Sequence, residues 1–187
     1  MSLLIPPHNF GIVEVDLYRS AHPNALNFPF LEKLRLRKII HIEVDLAPEF
    51  VRWVEEQQIE LVNLADVGRL NPWKPMTEEV VVEGLRLLLE PRNYPLLVMC
   101  NLGRHRTGTM IGCLRKLQRW HLTCILEEYR RHARSKFRLV NEQFIELFDI
   151  DLVHIPEKCP PWFHAATQPA LGATATGQQS TTESVAR

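Results

Sequence analysis

Leu96-Leu97-Val98-Met99-Cys100-Asn101-Leu102-Gly103-Arg104-His105-Arg106-Thr107-Gly108 carries an apolar run into a cysteine, sets an arginine six positions later, and leads into a helix-like stretch. Leu96 to Met99 reads as a short buried strand that delivers Cys100 to the rim of a sheet. The loop Asn101 to His105 then turns backbone N–H groups toward one point, and such a nest binds an anion. A helix opening near Thr107 adds the positive end of its macrodipole and its unpaired first-turn donors. A free thiol titrates near about 8.5, and helix N-termini with cationic neighbours bring it to roughly 3.5 to 7.5, so Cys100 is expected as a thiolate. Arg106 supplies a planar fork for two phosphoryl oxygens, which a lysine cannot reproduce. Gly103 permits the turn, and the Thr107 hydroxyl is placed to donate to the sulfur when a phosphocysteine is hydrolysed. Cys100 and Arg106 are thus the candidate catalytic residues. Asn101, Leu102, Gly103, Arg104, His105, Thr107 and Gly108 are the candidate substrate-binding residues.

A cysteine and an arginine six apart mean little alone, and a buried structural cysteine beside a surface arginine is the competing reading. The context argues against it, because the strand precedes the pair and amphipathic Met110, Ile111, Leu114 and Leu117 follow it. With those residues in view, CNLGRHRTG resembles the signature of the cysteine-dependent phosphatases, and the wider pattern resembles the plant and fungal atypical dual-specificity phosphatases. Pro6-Pro7-His8-Asn9-Phe10-Gly11, Leu17-Tyr18-Arg19-Ser20, Asn27-Phe28-Pro29-Phe30-Leu31, Gly112 to Gln118 and Glu128-Tyr129-Arg130 are similar to that family as well, over about residues 5 to 150. Together with Asn71-Pro72-Trp73, the loop is most similar to the fungal tyrosine phosphatases named for oxidant-induced cell-cycle arrest. The resemblance implies a protein-tyrosine or dual-specificity phosphatase, and a related branch implies an inositol pyrophosphate phosphatase. It also implies a third reading, a catalytically weak phosphate-binding subunit in a hetero-complex of related phosphatase-like proteins.

Two departures from the family pattern bear on mechanism. Met99 stands where a histidine usually precedes the nucleophile, and Asn71-Pro72-Trp73 replaces a common Glu-Pro-Phe, removing a carboxylate from the loop expected over the site. Asp66 is then the nearest candidate acid, since it follows the apolar stretch Leu61 to Leu64 and opens a Gly- and Pro-containing lid loop, Val67 to Pro75. A plain turn residue or N-cap is the alternative for this aspartate. The substrate decides how much an acid matters. A phenolate leaves with a pKa near about 10, a phosphate leaving from an anhydride near about 6, so a missing acid favours anhydride substrates. Arg69, Lys74 and Arg138, with Arg130, Arg131, Arg134 and Lys136, offer further charge to a polyanion, although helix-face arginines are often only solvated.

Composition fits a small enzyme. The chain has 187 residues, 45% hydrophobic, with 22 Lys plus Arg against 22 Asp plus Glu, enough for one buried core and without the basic field that nucleic acid requires. The sequence shows neither a basic start with an apolar core nor a run of about eighteen apolar residues, which reads as no membrane span and a cytoplasmic location. Cys100, Cys113, Cys124 and Cys159 lack metal-ligand spacing, so no metal or organic cofactor is expected, and Cys113 reads as core. An exposed thiolate would also be open to peroxide.

Strands are predicted at Ile12–Val15, Leu17–Arg19, Lys38–Ile42, Glu60–Leu64 and Leu96–Cys100. Helices are predicted at Leu26–Leu34, Pro48–Gln57, from a Thr77 cap to Leu89, and at Thr107–Arg119, Thr123–Ala133 and Asn141–Ile150. This alternation gives an α/β fold with a central, mostly parallel sheet flanked by helices, of the cysteine-phosphatase type, with the site at strand C-terminal ends. The expected organisation is a phosphatase domain over 1–155, an extended docking segment over 156–164 and a disordered tail over 165–187.

Overall fold

The computed structural model describes residues 4–43, 45–68 and 74–163. The tail 165–187, together with His164 at the end of the segment before it, lies outside them. Five strands form one sheet: β1 (Gly11–Glu14), β2 (Leu17–Ala21), β3 (Lys38–His41), β4 (Glu60–Asn63) and β5 (Leu96–Cys100), in the order β1-β2-β5-β3-β4. β1 pairs antiparallel with β2, and every other pairing is parallel. The central strand β5 is buried along its whole length, as a strand covered on both faces must be. Its register sets Cys100 beside Ala21 of β2 and Met99 beside His41 of β3, so three strand ends converge on the same rim.

Side chains of β5 alternate between two cores. Leu96, Val98 and Cys100 face the larger one, shared with α3 (Glu78–Leu88), α4 (His105–Leu117), α5 (Leu122–Ala133) and α6 (Leu139–Leu147). Leu97 and Met99 face the smaller one, where α1 (Phe28–Lys33) and α2 (Pro48–Glu56) contribute Leu31, Phe50, Trp53 and Val54. Each fully buried aliphatic chain of this kind stabilises the fold by about 1.5–3 kcal/mol relative to exposure. Met99 is therefore core. It sits on the opposite sheet face from Cys100, among aromatic rings.

Several boundaries differ from the sequence reading for local reasons. The predicted first helix splits into a 3-10 turn, Ala25–Asn27, closed by reciprocal Asn24 and Asn27 caps, followed by α1. Asn63 accepts from the Ala65 amide and ends β4 before Leu64. α5 starts at Leu122 after an extended His121, without a Thr123 cap. α6 stops at Leu147, where Phe148 leaves helical backbone, and Asp149 caps a separate turn at Ile150–Leu152. α4 begins at His105, two residues before the predicted Thr107, which puts Arg106 and Thr107 inside its first turn.

Beyond α6, Cys159 and Phe163 are buried in the larger core, and Trp162 lies 6.1 Å from the Tyr94 ring centroid. No helix among the described residues is long and apolar enough to cross a membrane.

Candidate active site

Chain direction alone puts Cys100 at the C-terminal end of β5, and the following residues turn sharply into α4. The Gly103 amide closes the turn onto the Cys100 carbonyl at 3.2 Å, with Gly103 at φ 63°. Three successive loop carbonyls are then drawn away from the centre. The His22 amide takes Asn101 O at 3.1 Å, the Asn9 side-chain amide donates to Leu102 O at 3.4 Å and Gly103 O at 2.9 Å, and Arg19 Nη2 donates to Gly103 O at 3.2 Å. In a trans peptide the next N–H points opposite to the carbonyl, so the Leu102 and Arg104 amides turn inward. The His105, Arg106 and Thr107 amides, in the first turn of α4, have no intrahelical partners to compete for them. The result is a concave set of donors above Cys100.

Arg106 extends along this rim and is fixed from the neighbouring strand end. Its Nη1 donates to the Glu43 carboxylate and, at 3.3 Å, to Ile42 O. His105 Nδ1 lies 3.4 Å from the Tyr129 hydroxyl, which also accepts from the Arg138 amide at 3.2 Å and the Asn141 side chain at 3.1 Å. The Thr107 hydroxyl is buried with no hydrogen-bond partner, so the expected bond to the Cys100 sulfur is not made here. Gly108 lets Tyr129 approach: a Cβ there would meet the ring at 2.8 Å.

Cys100, Asn101, Leu102, His105 and Arg106 line one wall of a cavity of about 470 Å³, a size suited to a small-molecule ligand. His22, His41, Glu43 and Asp45 line a second wall, and Lys74, Met76, Arg138 and Asn141 complete it. Of the other sequence candidates, Gly103, Thr107 and Gly108 are buried behind the loop, and Arg104 is the N-cap of α4; none of these four lines the cavity. Asp66 is exposed on the Leu64–Asp66 turn and does not line it either. The Asn71-Pro72-Trp73 and Arg69 portion of the proposed lid lies outside the described residues. Arg130 is engaged by Glu142 at 2.7 Å, away from the cavity wall. Cys113 is fully buried, and burial pushes its thiol up. Among the described residues no group of three or more His, Cys, Asp or Glu is placed to hold a metal ion.

Sequence reasoning missed Asn9, Arg19, His22, His41, Glu43 and Asp45. The last three stand at or just past the end of β3, and the rule that α/β sites gather at strand C-terminal ends was the signal that pointed to them.

Three histidines around the loop are held neutral. His41, fully buried, is pushed down to about 4 by burial, with His22 and Arg106 adding to the effect and Glu43 opposing it. His105 is lowered to about 4 by burial, then by Arg138, Arg104 and Arg106. His132, whose Nδ1 lies 3.1 Å from Asn9 Oδ1, is lowered to about 4 by burial and by Arg19 and Arg131, against Glu128. In the unfolded chain these imidazoles titrate near about 6.5. Their contribution to stability is intact above about pH 6.5 and is lost as pH falls toward 4, because only the unfolded state then gains protons. Melting temperature should therefore drop steadily as the buffer is taken from pH 7 to 4.5. A flat profile over that interval contradicts neutral burial of these rings.

A cysteine at the end of a central parallel strand, under an amide nest that opens a helix with an arginine in its first turn, defines the class of cysteine-based phosphatases. The chain belongs to the tyrosine phosphatase family, which matches residues 4–166. It is 60% identical over 161 residues to "Probable tyrosine-protein phosphatase DG1060" of Dictyostelium discoideum, covering 86% of this chain and 96% of that protein. The inositol diphosphatase DSP3 of Arabidopsis thaliana is 42% identical over 149 residues, 79% of this chain and 73% of that protein. The crystal structure of the core catalytic domain of the PP-IP phosphatase SIW14 from S. cerevisiae superposes with a TM-score of 0.73 at 40% identity, covering 80% of this chain and 90% of that one. The protein is a phosphatase of this family.

Proposed function

We propose that Cys100 is the nucleophile and that the substrate is a phosphoanhydride on a compact polyanion, of the diphosphoinositol class. The observation that carries the first part is the loop itself, with its carbonyls drawn outward and Arg106 pinned beside Cys100 by Glu43. The thiolate attacks phosphorus in line and the bridging P–O bond breaks, releasing the leaving phosphate with the electron pair. Loop amides and Arg106 carry the charge of the equatorial oxygens as fixed donors. Water then attacks the phosphocysteine, the S–P bond breaks, and orthophosphate and the thiolate result.

The substrate class is supported by what stands around the loop. Lys74 and Arg138 line the cavity beyond Arg106 and offer charge to further phosphates. Asp66 stands off the cavity, and a leaving phosphate, with a pKa near about 6, needs little protonation. The names of DSP3 and SIW14 point the same way. A second reading, an aryl phosphate ester such as a phosphotyrosine peptide, is favoured by Asp45, a carboxylate on the cavity wall, and by the name of the Dictyostelium relative.

Turnover of a diphosphoinositol and of a phosphotyrosine peptide, measured side by side, separates the two. The anhydride should be preferred by about tenfold or more in kcat/KM, and Asp66→Asn should stay within about threefold of wild type on either substrate. A hundredfold loss on the aryl ester in Asp66→Asn or Asp45→Asn would install an acid and overturn the acid-free account.

A further inference from the structure

Among the described residues, the guanidinium of Arg19 stands out as a buried charge with two of its three nitrogens unpartnered. Its residue is 1% exposed, and β2 sets it beside Val98, on the same sheet face as Cys100. A single hydrogen bond is made, from Nη2 to Gly103 O, while Nε and Nη1 have no partner. A buried cation left this open is costly unless an opposite charge arrives beside it. Among the described residues, the charged and titratable groups that act on it are Glu128, Cys100, the like charge of Arg115, and His132. On α5, Glu128 is already engaged by Arg115 of α4 at 2.9 Å, and His132 is kept neutral by burial. On β5 stands Cys100.

We propose that Arg19 is a positioning residue of the anion loop, acting as the buried counter-charge for the negative centre at Cys100, first the thiolate and then the bound phosphoryl group. This role rests on the reading of Cys100 given above. It explains how the loop manages with Met99 in the place where the family usually has a histidine: the charge comes from the adjacent strand, through the face that Cys100 shares. Burial, and to a smaller extent Arg115, lowers Arg19 to about 10 against the opposing pull of Glu128 and Cys100, so it remains a cation throughout the working range. Buried charge is also little screened by salt, unlike that of Lys74 or Arg138 at the cavity wall.

The test compares Arg19→Met, Arg19→Gln and Arg19→Lys with wild type in a Cys124→Ser background, which removes the exposed competing thiol. Alkylation of Cys100 by iodoacetamide is followed by peptide mass spectrometry from pH 5 to 9. Binding of inorganic phosphate is measured calorimetrically in the same variants carrying Cys100→Ser. The neutral variants should alkylate about tenfold or more slowly at pH 6, recovering at high pH, and should bind phosphate at least about tenfold more weakly; lysine should stay within about threefold on both. Neutral variants that melt lower yet alkylate at pH 6 and bind phosphate like wild type would reduce Arg19 to a structural brace and overturn the proposal. Should neither neutral variant fold, a tenfold loss in the lysine variant overturns it equally, since the charge is retained there. None of these readouts requires turnover, so a wild type that hydrolyses no phosphate would refute the Cys100 reading while leaving this contrast measurable.

Discussion

Replacing Cys100 by serine should lower kcat by a factor of at least about 10⁴, some 5 kcal/mol of transition-state stabilisation, while inorganic phosphate still binds. The sulfur is the nucleophile of the proposed reaction, and a thiol is intrinsically far more nucleophilic than an alcohol. A serine hydroxyl in its place also finds only weak bases in the nearby imidazoles, since His105 and His41 are both lowered to about 4, chiefly by burial. The amides and Arg106 remain, because Glu43 and the outward-drawn carbonyls hold them without help from the thiol. Loss of turnover and of phosphate binding together would mean that serine disturbs the loop. Retention of more than a tenth of the activity would remove Cys100 from the mechanism.

The second large effect is expected at Gly103. Its φ of 63° is a left-handed conformation, and a Cβ there would sit 2.6 Å from Ala21 N and Ser20 C, both backbone atoms of the neighbouring strand end. No rotamer relieves that contact, and β2 cannot retreat because it is paired with both β1 and β5. Gly103→Ala should cost about 3 kcal/mol of stability from strain and crowding. Whatever part of the loop survives is displaced, and a shift of about 1 Å at the donors costs roughly 10²-fold in rate. Denaturant titration and kcat/KM measured on the same preparation check both. A variant with wild-type stability and activity would show that the turn does not depend on this close approach.

How much of this was legible in the chain follows from sequence distance. Cys100, Gly103 and Arg106 lie within one turn-and-helix segment, where local chemistry fixes the arrangement, and the alternation of apolar runs gave the parallel sheet. The partners that aim the loop come from elsewhere: Asn9 and Arg19 reach Gly103 across more than eighty residues, and Glu43 reaches Arg106 across 63. Such pairings depend on strand order, which periodicity does not encode. At Asp66 the sequence left a lid acid and a turn residue open; Asn63 turns the chain early and leaves the carboxylate exposed, off the cavity wall. The pleat, which sets Met99 in the core on the sheet face opposite Cys100, is legible from the alternation of a strand, but what fills that core is not.

In the proposed reaction, phosphorus passes through the sulfur of residue 100. Acid-quenched samples taken during turnover of a slow substrate and analysed by peptide mass spectrometry decide it. The account predicts one phosphoryl group on Cys100, present in the steady state and absent once substrate is exhausted. Turnover that proceeds while this peptide stays unmodified at every quench time, with water incorporated in a single displacement, would contradict it.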